Sequence, residues 1–365
     1  RGYRRKRVAS RLHPAIRPVI RMSRPGTVAV YFVASPLQYL AARRIAGEFE
    51  RGARQVLVWY KPGLEGVVEP GEWDACSYMA WPRLEPLPGA FGRHRRLREN
   101  IRLVAGLVGP CERLILHSAV YDTEAINYFL RALPMTCGAS EMRARILPDG
   151  LLSIRRYPLS PVKRLLQYPR KLRRLFAPEL DYQCFGGDRI GSDARFCDRI
   201  YVVHGLPNEY PAGKVQVLPP LVDPIREGGP QSGERRALVI GQPLAAFRLM
   251  SPADVSDVAS RMRQWLAREG FSQVDYKPHP KDSAHDLAHP DYRLIAPAGA
   301  LESHMAQTPY DAVIGVRSSS LLLARQIYPD RVRVVAFGWQ RVRFKSQQER
   351  EDMRRAFTAC GVEFA

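Results

Sequence analysis

Metal-type cysteine spacing is missing from this chain. Its six cysteines, Cys76, Cys111, Cys137, Cys184, Cys197 and Cys360, are scattered, and none forms a C-x-x-C pair. No Cys/His cluster has zinc spacing, so no metal site is expected, and free thiols in a reducing compartment are. No apolar run approaches the roughly 18 residues that a membrane-spanning helix needs. No secretory h-region follows the basic N-terminus, and a cytoplasmic protein is the expectation. G-x-G-x-x-G is absent as well, which disfavours a dinucleotide site. Acidic residues are scarce: 36 Asp and Glu stand against 56 Lys and Arg, a net charge of +20. Such a surface attracts anions, whether nucleic acid, anionic lipid, acidic glycan or nucleotide.

Nucleic acid fits the rest of the chain poorly. The aromatics do not interleave with the basic runs as they do in a single-strand binder. No helix-turn-helix, zinc-finger or RRM signature is present, so no nucleic-acid partner is expected. A non-enzymatic binder of anionic polymer stays as the lesser alternative. The N-terminal arm, residues 1–26, carries no carboxylate through residue 25 and has prolines at 14, 18 and 25. It suits either a solvated basic arm or a tether to an anionic membrane face.

What is present is an α/β rhythm. "TVAVYFVAS" (27–35) has the β-branched, apolar character of a buried strand. "SPLQYLAARRIAGEF" follows, with Ser35 suited to cap a helix and Pro36 to its first position. Strands are expected at 55–60, 113–117, 144–147 and 199–203, with helices around 91–107 and 122–132. This alternation predicts a parallel sheet. The stretch 159–176, "LSPVKRLLQYPRKLRRLF", is basic and amphipathic in patches. It fits a membrane surface, an acidic acceptor, or a surface helix pair broken by Pro169. Pro, Gly, Ser and charge concentrate at 223–236, the clearest linker. The rhythm then restarts with "ALVIG" (237–241) and continues to about residue 345, leaving a C-terminal helix or tail at 346–365. Two Rossmann-like domains, 27–222 and 237–345, are expected to face each other across a cleft. Ligands of such sheets bind beyond the carboxyl ends of the strands.

Three strand ends carry candidate chemistry. "YKPHPK" (276–281) holds His279 between Pro278 and Pro280, which leaves it little backbone freedom. "VRSSSLLLARQI" (316–327) puts Ser318, Ser319 and Ser320 at a helix start, where N–H groups and the helix dipole favour an anion. A plain serine cap also accounts for them. Asp149-Gly150 ends a strand of the first domain, and a carboxylate there is either a general base on the cleft wall or an ordinary turn. Glu302 lies between a strand end and a helix, suited to ribose hydroxyls or to the helix dipole.

"SPLQYLAARRI", an Asp-Gly, "KPHP" and a serine pair before a helix occur here in the order found in the bacterial sialyltransferases and polysialyltransferases of capsule and lipooligosaccharide synthesis, and the chain resembles that family over most of residues 27–330. The resemblance implies a GT-B fold and an inverting, metal-independent glycosyltransferase at surface polysaccharide synthesis. It implies no cofactor. The donor substrate would be a CMP-activated sialic or other nonulosonic acid, and the acceptor a glycan, acidic in the case of a polymer. It makes His279, with Pro280 beside it, the contact to the CMP phosphate, acting as imidazolium. Ser318 and Ser319, with Ser320 as the register alternative, become further phosphate ligands. Asp149 matches the general base, Glu302 the ribose ligand, and Ser35 and Gln38 contacts to the donor sugar. The family often has two acidic residues before the glycine, where this chain has Pro148-Asp149. Glycerophosphotransferases of the teichoic-acid type and Kdo or other CMP-nonulosonate transferases remain the alternatives. Peripheral contact with the inner membrane would suit the charge.

Overall fold

The computed structural model describes residues 26–150, 154–223, 235–297 and 299–365. The basic arm and most of the linker lie outside these residues.

The first domain is a parallel sheet built from β1 (Thr27–Val33), β2 (Arg54–Trp59), β3 (Ala75–Tyr78), β4 (Arg113–Ser118), β5 (Glu141–Ile146), β6 (Cys197–Val203) and β7 (Val215–Leu218). Their spatial order is β3-β2-β1-β4-β5-β6-β7. β1 runs between β2 and β4, with Val30 opposite both Val56 and Leu116. It is buried on both faces, which is why its sequence is apolar without alternation. α1 (Pro36–Glu48) follows as expected, with Ser35 Oγ accepting from the Gln38 N–H at 3.3 Å. α2 (Gly92–Val108) is next. The helix expected at 122–132 divides at Tyr128 into α3 (Glu124–Asn127) and α4 (Phe129–Cys137). α5 (Pro161–Leu165) and α6 (Tyr168–Lys171) are short surface turns.

The second domain repeats the plan. β8 (Arg235–Ile240), β9 (Phe271–Lys277), β10 (Arg293–Leu294), β11 (Ala312–Gly315), β12 (Arg333–Ala336) and β13 (Glu363–Phe364) pair in parallel in the order β10-β9-β8-β11-β12-β13. α7 (Pro252–Arg268), α8 (Leu301–Gln307), α9 (Ser320–Ile327) and α10 (Gln347–Ala359) complete it. Two boundaries differ from expectation. Arg235 and Arg236, assigned to the linker, already pair in β8. The tail at 346–365 is part of the domain, because β13 adds an edge strand beside β12.

The domains share apolar surface. Ala300 and Leu323 of the second pack into the core around β1 and α1 of the first, and Leu206 and Val222 bridge the cores of both. Polar ties reinforce the join. Gln326 donates to the His204 carbonyl at 2.9 Å, and Arg155 pairs with Asp352 of α10 at 3.2 Å. Among the described residues no helix is long and apolar enough to cross a membrane.

Candidate active site

In each sheet the strand order reverses beside the first strand, between β1 and β4 and between β8 and β11. Crevices at such points collect ligands. The expected site residues gather at these strand ends.

Asp149 follows β5 and is half-buried. Its wall is made by the neighbouring strand ends. Gln38, buried on α1, accepts the Ala34 N–H at its Oε1 (2.7 Å) and donates to the Asp149 carboxylate. Burial raises the Asp149 carboxyl above the ordinary carboxylate range, and the Gln38 hydrogen bond and the Lys61 charge draw it partly back. Tyr60, stacked on Trp81 at 4.6 Å, feels the same carboxylate. A carboxylate with a raised pKa is better matched to accept a hydroxyl proton near neutral pH. Gln38 is therefore occupied in holding Asp149, and Ser35 in capping α1.

Gly150 bends this turn toward the other domain with φ 53, a left-handed value suited to glycine. A Cβ placed on it would lie 4.0 Å from Ser319 Cβ. The Asp-Gly turn of the first domain thus meets the start of α9 in the second.

The three serines there divide the work. Ser318 Oγ accepts the Ser320 N–H at 3.3 Å, one residue ahead of the N-cap position, Ser319. Ser319 is exposed at the junction. Ser320 turns inward and donates to Glu302 Oε1 at 3.0 Å. Glu302 is itself buried. Burial raises its carboxyl, and its own backbone N–H, Ser320 and the Lys277 charge act against that rise. Glu302 and Ser320 are engaged with each other in this structure.

His279 ends β9. Its Nδ1 accepts the Lys281 N–H at 3.1 Å. A backbone N–H can only donate, so the neutral ring carries its hydrogen on Nε2. Burial, then Lys277 and Lys281, hold its pKa below the ordinary imidazole value. In the neutral ring Nε2–H is the donor left to face the crevice. His279 and Pro280 line a cavity of about 390 Å³ together with Lys277, Asp282, His285 and Ile295. Asp282 anchors its floor, accepting from Tyr276 Oη at 3.2 Å, while its N–H bonds to the His279 carbonyl at 2.9 Å. Gly241, after β8, permits this packing. A Cβ there would come within 2.5 Å of Tyr276 Oη and 3.0 Å of the Lys277 carbonyl oxygen.

Sequence reasoning gave no role to Lys61, Lys277, Gln242 or His285. Gln242 Oε1 accepts the Arg317 N–H at 2.8 Å and ties the end of β8 to the serine turn. Their shared signal is position at a strand end. His117 stacks on Tyr31 at 4.3 Å inside the first domain, where burial lowers its pKa to about 3. Among the described residues no group of three or more His, Cys, Asp or Glu is placed to hold a metal.

Residues 220–336 match the model of the alpha-2,8-polysialyltransferase (POLYST) family. No curated protein matches the chain. Among solved structures, the alpha/beta-galactoside alpha-2,3-sialyltransferase of Photobacterium phosphoreum is similar with a TM-score of 0.53 at 11% identity, over 93% of this chain and 99% of that chain. The UDP-GlcNAc 2-epimerase of Neisseria meningitidis gives a TM-score of 0.45 at 9% identity, over 82% of this chain and 80% of that one. CalG4, the calicheamicin glycosyltransferase, gives 0.45 at 11% identity, over 94% and 86%. The family match lies across the second domain, and the fold is that of a sialyltransferase. Over residues 220–336 the chain is similar to the alpha-2,8-polysialyltransferases, and its two facing domains have the GT-B fold of a glycosyltransferase.

Proposed function

We propose that this enzyme moves a sialic acid or related nonulosonic acid from a CMP-activated donor to a glycan hydroxyl, with inversion, in the synthesis of a surface polysaccharide. One observation supports this reading above the others: the Asp149-Gly150 turn of one domain abuts the Ser319 end of α9 in the other. A carboxylate and an anion-binding helix start then stand on opposite sides of one crevice.

The chemistry follows from the donor. Its anomeric carbon is tertiary and bears a carboxylate, so the transition state is oxocarbenium-like. The bond from that carbon to the phosphate oxygen breaks, and CMP leaves with the electron pair. His279 Nε2–H, the Ser318 and Ser319 hydroxyls and the start of α9 stabilise the growing phosphate charge. The acceptor oxygen attacks from the opposite face, and Asp149 takes its proton. Gln38 positions Asp149, Glu302 and Ser320 hold the start of α9, and the cavity beside His279 takes the nucleoside. No metal has a part in this scheme.

The test is CMP release from CMP-sialic acid, with and without a glycan acceptor, in the wild type, His279→Ala and Asp149→Asn. Acceptor-dependent release that both variants lose supports the reading. Turnover of CDP-glycerol in its place, or of neither donor, overturns it.

A further inference from the structure

The stretch 160–176 is amphipathic in the wrong sense for a surface helix. Val162, Leu165, Leu166, Leu172, Leu175 and Phe176 are 56 to 93% exposed. Tyr168 and Pro169, between them, also face outward. Their three- and four-residue spacing forms one continuous stripe along α5, α6 and the 3-10 turn Leu172–Leu175. A helix on a water-soluble domain turns such a stripe toward the core. Here the inward side is polar. Gln167 is buried, donating to the Phe185 carbonyl at 3.1 Å and accepting the Phe185 N–H at 2.7 Å. Arg170 lies over the Tyr182 ring at 5.5 Å. Arg173 donates to Tyr128 Oη at 3.0 Å and pairs with Glu124. The polar anchors hold the apolar stripe outward as a fixed surface.

Charge identifies the occupant. Residues 160–176 contain Lys163, Arg164, Arg170, Lys171, Arg173 and Arg174 and no carboxylate. Lys163, Arg164 and Arg174 are exposed beside the stripe. Phe91 borders it: this side chain is 78% exposed at the start of α2, whose Arg93 shares Glu124 with Arg173. An acidic polymer would use the cations and leave the apolar stripe wet. A second copy of this chain would set cations against cations. An anionic bilayer surface satisfies both at once, with apolar side chains among the acyl chains and cations at the headgroups.

We propose that residues 160–176 dock the acceptor-side domain flat on an anionic membrane. This inference stands apart from the donor chemistry. It puts residues 160–176 at the bilayer, where a membrane-anchored acceptor would arrive.

The test is sedimentation of the full chain with vesicles of phosphatidylcholine alone, or with roughly one third phosphatidylglycerol. The wild type should bind the anionic vesicles, and salt should weaken the binding. L172S/L175S/F176S should lose at least about tenfold in partitioning, with an unchanged melting temperature because these side chains are exposed. K163Q/R164Q/R174Q should lose the preference for phosphatidylglycerol. Three results overturn the proposal: wild type that stays in the supernatant, an apolar triple variant that binds as well as wild type, or vesicle-free dimers that the apolar triple variant dissolves. Binding of a soluble acidic polysaccharide in place of vesicles overturns it as well.

Discussion

Ser320 on α9 donates its hydroxyl hydrogen to the buried Glu302 on α8, 3.0 Å away. The pair joins two helix starts behind the proposed phosphate site. Glu302 has a raised pKa, so folding favours its protonated form. Its contribution to stability is full below the unfolded carboxylate pKa and is lost as pH rises through the folded one. Glu302→Gln keeps an acceptor for Ser320 and carries no charge. Its melting temperature should gain on wild type as pH climbs above the ordinary carboxylate range, and the gain should vanish in acid. A constant difference across pH would mean that Glu302 does not titrate in this way.

His279→Ala should lower turnover by at least about 10²-fold, within the span of general acid–base and hydrogen-bonding groups. His279→Gln, whose amide can place a donor near the Nε2 position, should recover part of that loss. In the free protein, His279 should titrate below the ordinary imidazole range, because burial and two lysines oppose its charge. Bound CMP should raise it. A histidine NMR titration reads both, and an unmoved His279 resonance on CMP addition would remove it from the donor site.

Asp149→Asn should bind CMP as wild type does and lose transfer. The base must be ionised, so kcat/KM should rise with pH through the Asp149 pKa. Gln38 donates to this carboxylate and lowers its pKa. Gln38→Leu should therefore shift the acid limb of the profile to higher pH. A variant that is merely less stable, with the limb unmoved, would deny Gln38 its positioning role.

Gly241→Ala introduces a methyl group against Tyr276 and the Lys277 carbonyl. Overpacking of this kind costs about 1–3 kcal/mol. The strain falls on the strand end that carries His279. CMP affinity in a calorimetric titration should fall along with the melting temperature. Unchanged affinity would separate Gly241 from the nucleotide site.

Much of this arrangement was legible in the chain. β1, β2, β4 and β6 announce themselves by runs of buried apolar residues, β5 by the shorter apolar end "ARIL", and Ser35-Pro36 marks the start of α1 by capping chemistry. β3 and β7 escaped notice because they are four residues each, with polar residues interleaved. Residue types at strand ends could be picked out, but the directions of their side chains could not. Three consecutive serines take three different orientations, set by where Glu302 and the Asp149-Gly150 turn lie. That Gln38 would meet Asp149 could not be read, because the two are distant in the chain and adjacent only once β1 and β5 share a sheet. The charge on His279 depends on a hydrogen bond from Lys281 that only the turn geometry reveals.

Arg155 lies shortly after the Asp-Gly turn and is ion-paired with Asp352 on α10. Swinging the lobes apart must either rupture that contact or drag the turn along with the departing helix. Either way, that ion pair ties the edge of the first domain to α10 and resists separation of the lobes.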